Sequence, residues 1–262
     1  MQDSTLLIRK AIEKGKTKTV YPLINSVLVE FSLKIGPHQI HDFREAVLKC
    51  IPNAAEREIF SNEKWVGGAK KTIVRYPKIQ YRERNGHAAI WAVQEGAALL
   101  IKFIQEYKHR FEWGEKKFSL NLLQLPEEIK NFTVKPVRRK AGEPLQVYHL
   151  YYYIPFINEN PERNYDWYKA SRNLPDTEKT KRLQELLTAH LCSFIHYTGG
   201  FIPKEKIKLT IVDKKLLEGV TFKGRIHAAY EIRYTVNLPL PPFIALGNKC
   251  SHGFGWQLME QG

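Results

Sequence analysis

The stretch Thr72-Ile73-Val74-Arg75-Tyr76-Pro77-Lys78-Ile79-Gln80-Tyr81, followed by Asn85-Gly86 and then His87-Ala88-Ala89-Ile90-Trp91-Ala92-Val93, decides the fold. Both runs are rich in β-branched and aromatic residues, which suit an extended, half-buried backbone. Asn-Gly between two such runs marks a two-residue hairpin turn, because both residues accept positive φ. Pro77 has no N–H to give to a ladder, so its strand belongs at an edge or a bulge.

Outward from this hairpin a helical period appears on each side. His38 to Ile51 places Ile40, Phe43, Val47, Leu48 and Ile51 on one face, bounded by Gly36-Pro37 and Pro52. On the far side Glu95-Gly96 opens a helix over Ala97 to Tyr107. Further out, Ile24 to Leu33 alternates as a strand with one buried face, and Phe118 to Leu125 reads as another strand. The order is strand, helix, hairpin, helix, strand, which is a βαββαβ ferredoxin-like unit. Ser61 to Lys71, with Gly67-Gly68 and three lysines, reads as a loop within it.

The second half repeats the order more loosely. Gln146 to Pro155 is a strand containing Tyr148, Tyr151, Tyr152 and Tyr153. A polar loop over Asn158 to Asp176 leads to a helix from Thr177 to about Thr198, closed by Gly199-Gly200. Lys206 to Val212 and His227 to Val236 read as strands, and the proline segment Pro239-Leu240-Pro241-Pro242 leaves too little chain for a full second helix. The whole pattern predicts an α+β protein of tandem ferredoxin-like (RRM-like, βαββαβ) domains. Residues 1–125 form an N-terminal domain, and residues 126–262 form a C-terminal domain with a glycine-rich loop. The crossing falls within 111–145, where Lys135-Pro136-Val137-Arg138-Arg139-Lys140 reads as an exposed linker or edge. Leu6 to Ile12 and the basic run Lys14 to Lys18 read as a short helix or mobile arm.

Charge narrows the partner. Lysine plus arginine is 41 against 27 for aspartate plus glutamate, a formal charge of +14 on 262 residues. An excess of that size points to a polyanion, nucleic acid first and an acidic membrane second. A 43% hydrophobic fraction supplies real cores and excludes wholesale disorder. Cys50, Cys192 and Cys250 are odd in number and widely separated, so they show neither a disulfide framework nor zinc-ligand spacing. No window approaches the roughly 18 apolar residues of a membrane span, and Met1-Gln2-Asp3-Ser4 opens no apolar leader. The expected setting is cytoplasmic.

The chain closes on Leu246-Gly247-Asn248-Lys249-Cys250-Ser251-His252-Gly253-Phe254-Gly255-Trp256. Successive N–H groups in a glycine-rich turn make a concave anion site, and Lys249 adds a full charge. The spacing is not that of a Walker P-loop. Two readings stand side by side: a phosphate cradle, and a turn that merely leads into the last strand.

Val236-Asn237-Leu238-Pro239 followed by Ala245 to Gly255 resembles the C-terminal glycine-rich loop of RAMP-superfamily CRISPR proteins. More narrowly, it is similar to the CRISPR-associated endoribonucleases that cut precursor crRNA within its repeats, the sixth family of Cas proteins. Arg75 to Tyr81 resembles that family's Tyr-Pro-x-x-Gln-Tyr strand. Tyr151-Tyr152-Tyr153-Ile154-Pro155-Phe156, leading to Asn164-Tyr165 and Tyr168, resembles the opening of its second domain. The resemblance implies metal-independent RNA cleavage without a cofactor, in which a ribose 2′-OH attacks the adjacent phosphate and leaves a 2′,3′-cyclic phosphate. CRISPR repeat RNA or crRNA is the implied partner. Other Cas proteins of an effector complex are further candidates, a membrane is not, and monomer and homodimer both stay open. A cleavage-inactive RAMP protein that binds crRNA as a structural subunit is the alternative.

Such chemistry needs a base, an acid and positive charge on the phosphate. Histidine suits the proton transfers. His41 and His38 lie between the first strand and the first helix, where relatives carry a catalytic histidine and where a helix N-terminus favours an anion. His87 and His227 fall in strands, His109 follows a helix, and His149, His190 and His196 read as packed or surface residues. Many relatives place a histidine just before the Tyr-Pro-x-x-Gln-Tyr strand, but Phe60 to Lys71 contains none. Lys70 and Lys71 are the candidates there for phosphate charge. For RNA contact the candidates are Gly247, Lys249, Ser251, His252, Gly253, Phe254 and Gly255 of the loop, the cluster Arg138, Arg139 and Lys140, and Lys223 with Arg225 on a hairpin. His252 is read as a phosphate donor rather than a proton carrier. A-form RNA offers side chains little sequence in its narrow major groove, so contact through phosphates and shape is expected.

Overall fold

The computed structural model describes residues 19–66, 69–72, 76–114, 116–117, 119–123, 130–135, 145–155, 174–222 and 225–260. The expected N-terminal arm and Arg138, Arg139, Lys140 and Lys223 lie outside the described residues. The chain divides into two compact units. One is Leu23–Phe132 joined by Cys250–Gly253; the other comprises Thr133–Lys249 and Phe254–Gly262, with residues 19–22.

In the first unit β1 (Leu23–Lys34) is followed by a 3₁₀ turn, Pro37–Gln39, then α1 (Ile40–Cys50) and α2 (Ala54–Ser61). A small hairpin, β2 (Glu63–Val66) and β3 (Ala69–Thr72), precedes β4 (Ile79–Arg84) and β5 (His87–Val93). Helix α3 (Glu95–Lys102) continues as a π-helical turn over Phe103–Tyr107, and a two-residue pair, β6 (Glu112–Trp113) and β7 (Lys116–Lys117), leads to β8 (Lys130–Thr133). The sheet order is β4-β5-β1-β8, with β5 antiparallel to both of its neighbours. Asn85 and Gly86 turn the hairpin at φ of 51° and 79°, as Asn-Gly predicts. Phe43 of α1 centres the core, its ring 5.9 Å from Phe31, 5.9 Å from Tyr81 and 6.0 Å from Phe111.

Three expectations shift. The regular strand begins at Ile79 rather than Thr72, because Pro77 interrupts the ladder. Ser61 to Lys71 includes a hairpin, not only a loop: Lys64 pairs with Lys71 and Trp65 with Lys70 across β2 and β3. Gly67-Gly68 was its turn signal, outweighed in the sequence by the lysines around it. The fourth strand is β8, not Phe118 to Leu125. Of that segment Asn121 and Leu123 exchange hydrogen bonds of 2.9 Å with Ser32 and Glu30 of β1, and Leu122 bridges Phe31. At twelve residues β1 is long enough to offer its edge to both.

The second unit holds β9 (Val147–Tyr153), α4 (Asp176–Tyr197), β10 (Leu209–Phe222), β11 (Arg225–Val236) and β12 (Trp256–Met259). Its antiparallel sheet runs β10-β11-β9-β12, which is again second, third, first and fourth strand. The two sheets and the recurring order are those of tandem ferredoxin-like folds. No α-helix stands between β11 and β12. Pro239, Pro241 and Pro242 lack the N–H that a helix needs, and the glycine stretch takes that place with only a 3₁₀ turn, Cys250–His252. Tyr148, Tyr153 and Tyr234 are fully buried, while Tyr151 stacks between His149 at 4.1 Å and Trp256 at 4.4 Å. Among the described residues no helix is long and apolar enough to cross a membrane.

Candidate active site

Strand β4 explains its own sequence motif. Alternation sends Ile79 and Tyr81 into the helical core, where the Tyr81 hydroxyl donates to the Phe60 carbonyl at 3.3 Å. Gln80 and Arg82 point the other way and are buried too. The Gln80 amide donates to the Tyr76 hydroxyl at 2.7 Å, and Arg82 donates to Gln80 Oε1 at 3.2 Å. The 3₁₀ turn Cys250–His252, which belongs to this unit, packs on β4. Burial lowers the Arg82 guanidinium to about 10, still cationic at neutral pH, and pushes the Cys250 thiol up to about 12. Cys250 is therefore an inert apolar anchor.

The same turn reaches the head of α1. Gly253 sits at φ of 88°, and a Cβ there would lie 2.6 Å from Ile40 Cδ1. The positive φ favours glycine there, and any larger residue would also have to displace the end of the Ile40 side chain. One residue away on each side, the His41 and His252 rings stand 6.0 Å apart, inclined at 34°. The Ser251 hydroxyl and His252 Nδ1 share a hydrogen bond of 3.0 Å. Residues that lie about 200 positions apart thus form one cluster. His38, by contrast, is exposed on the Pro37–Gln39 turn, its ring folded back over Gly36.

Lys70 and Lys71 stand on β3, opposite Trp65 and Lys64. Arg44 ties this hairpin to α1. Its guanidinium is fully buried, donates to the Ser61 carbonyl at 2.7 Å, lies 3.2 Å from Glu63 and pairs with Glu45. His41 and Arg44 are one turn apart on α1, so a single helix carries the candidate proton carrier and the anchor of the lysine hairpin. Among the described residues no three His, Cys, Asp or Glu side chains converge as a metal site requires.

The remaining loop residues lie in the second unit. The N–H groups of Leu246, Asn248 and Gly255 donate to Gly255, Ile154 and Tyr152 carbonyls at 2.7, 2.9 and 3.1 Å. A Cβ on Gly255 would collide with the Leu246 carbonyl, and one on Gly247 would lie 2.8 Å from the Tyr153 ring. These glycines serve close packing, and three of the backbone donors that a phosphate would use are committed within the chain. Lys249 adopts φ of 61° and holds its ammonium 5.7 Å from the Phe222 ring centroid. Phe254 meets Phe222 edge-on at 5.7 Å, and Phe222 pairs with Arg225 at the end of the β10–β11 ladder. Phe222 was missed in the sequence, where a lone phenylalanine among turn residues gives no signal. His190 is excluded from acid–base work: buried against the Tyr153 hydroxyl at 2.8 Å, it is pushed down to about 4.

Models of the Cas6b N-terminal and C-terminal domains match residues 22–131 and 142–258. A crystal structure of Cas6b superposes with a TM-score of 0.67 at 15% identity, covering 90% of this chain and 100% of that one. A second, of the CRISPR RNA processing endoribonuclease Cas6b, gives 0.61 at 14% identity, covering 91% and 100%. At such identities the likeness is one of fold. No curated protein matches the chain in sequence.

Proposed function

The chain belongs to the Cas6b family, and we propose that it is a crRNA-processing endoribonuclease that cuts CRISPR repeat RNA without a metal ion. The 2′-oxygen attacks phosphorus and its proton passes to a base. The bond from phosphorus to the 5′-oxygen breaks, that oxygen takes a proton from an acid, and a 2′,3′-cyclic phosphate remains. His41 is the proton carrier in this reading, with His38 beside it on the preceding turn as a further candidate. Lys70 and Lys71 supply charge for the crowded phosphate. Lys249, Phe254, Arg225 and Lys223 hold RNA with the basic segment Arg138-Arg139-Lys140, and a net +14 supports a polyanionic substrate.

The observation that carries the reading is His41, half-buried in the first turn of α1 and clustered with Ser251 and His252, in a chain matched by the family over residues 22–131 and 142–258. The test is incubation with repeat RNA in excess EDTA. One cut with a cyclic-phosphate end is expected, abolished by a single 2′-deoxy substitution at the scissile nucleotide. RNA that binds tightly but stays whole would overturn the nuclease reading in favour of a cleavage-inactive crRNA-binding subunit.

A further inference from the structure

We propose that His252 is a positioning residue for His41, and that the Cys250–Gly253 turn supports the catalytic helix instead of gripping RNA. The inference rests on the endoribonuclease reading and deepens it.

Four observations converge. These four residues belong to the unit of β1 and α1, although residues 249 and 254 on either side of them do not. Gly253, at φ of 88°, lies close against the end of the Ile40 side chain, which sets the turn against the residue next to His41. The His252 ring meets the His41 ring at 6.0 Å and 34°. Finally, both nitrogens of His252 face inward: Nδ1 shares a hydrogen bond with Ser251, itself only 8% exposed, and Nε2 is buried. A ring so placed is a poor donor to an RNA phosphate and a good wall. Nδ1 of His41 is buried as well. Beneath the turn, buried Cys250 beside Arg82 on β4 fixes its base. Holding an imidazole in one orientation matters because displacement of a reacting group by about 1 Å costs on the order of 100-fold in rate.

The test compares single-turnover cleavage with binding of an uncleavable 2′-deoxy repeat RNA in wild type, His41→Ala, His252→Ala, His252→Phe and the His41→Ala/His252→Ala double variant. His252→Ala is expected to cut about 100-fold more slowly at unchanged Kd. His252→Phe, which keeps the ring, restores most of that loss, and the double variant is no slower than His41→Ala. Weaker binding at an undiminished saturating rate would make His252 an RNA contact and overturn the proposal. So would a full rate in His252→Ala, or an equal further loss on top of His41→Ala. If His252→Ala fails to fold, His252→Phe decides: a folded variant that binds RNA but remains about 100-fold slow overturns the packing role. The endoribonuclease reading fails separately, by uncut RNA in wild type or by full activity in His41→Ala.

Discussion

The two units share one strand order but close it differently. The first spans its second crossover with α3, whereas the second spans it with a proline segment and the glycine loop. A helix satisfies its own backbone and buries one face, so it serves only the sheet it covers. The loop lends Cys250–Gly253 to the first unit and keeps Lys249 and Phe254 in the second. The stretch that stands in the helix's place is therefore divided between two cores. In the proposed reading the chemistry falls to the first unit, and contact with the RNA backbone to the second.

This division can be broken most sharply at His41. Alanine there should slow cleavage by roughly 10²–10⁴-fold and leave the Kd for uncleavable RNA within error. A large loss of affinity would put grip in the first unit and erase the contrast. Next comes Arg44→Ala, which strands a buried ionic cluster and should cost about 3–5 kcal/mol in denaturant unfolding. The loss should appear in the first unit's transition, and cleavage should suffer with it through the β2–β3 hairpin.

The second unit carries its own signature in acid. His190 has an ordinary pKa near 6.5 when unfolded and about 4 in the fold. The unfolded chain therefore binds a proton that the native chain refuses. The stabilisation is complete above pH 6.5 and lost as pH falls toward 4, up to about 3 kcal/mol. Melting of wild type between pH 7 and pH 4 should fall more steeply than that of His190→Gln. Equal slopes would remove His190 as the cause. The smallest effect is expected at Lys249→Gln, with a weaker Kd, a salt-dependence slope reduced by about one and an unchanged saturating rate.

Local chemistry made much of this legible. Asn85-Gly86, the periodicity of Ile40, Phe43 and Val47, and the aromatic run Tyr148 to Tyr153 each announced an element because the signal lies within a few residues. What escaped depended on distance. Gln80 and Arg82 alternate with Ile79 and Tyr81 in a way that suggests an exposed face, and only the arrival of the Cys250 turn makes both faces of β4 interior. The fourth strand was misplaced because Leu120 and Leu122 carry the same alternation as a paired strand, and no local feature distinguishes them from Lys130–Thr133. Of the candidate site, His41, His252 and the lysines were readable as residue types. That His41 and His252 are neighbours was not, since about 200 residues separate them.

The loan of Cys250–Gly253 also sets a timetable. Translation proceeds at about 5–20 residues per second, so on the order of 10–40 s separate the emergence of α1 from that of the turn completing its surroundings. Throughout that interval the nascent first unit carries His41 without its wall. In the proposed reading, the wall of His41 and the RNA contacts of Lys249 and Phe254 become available together, once residues 249–254 have emerged.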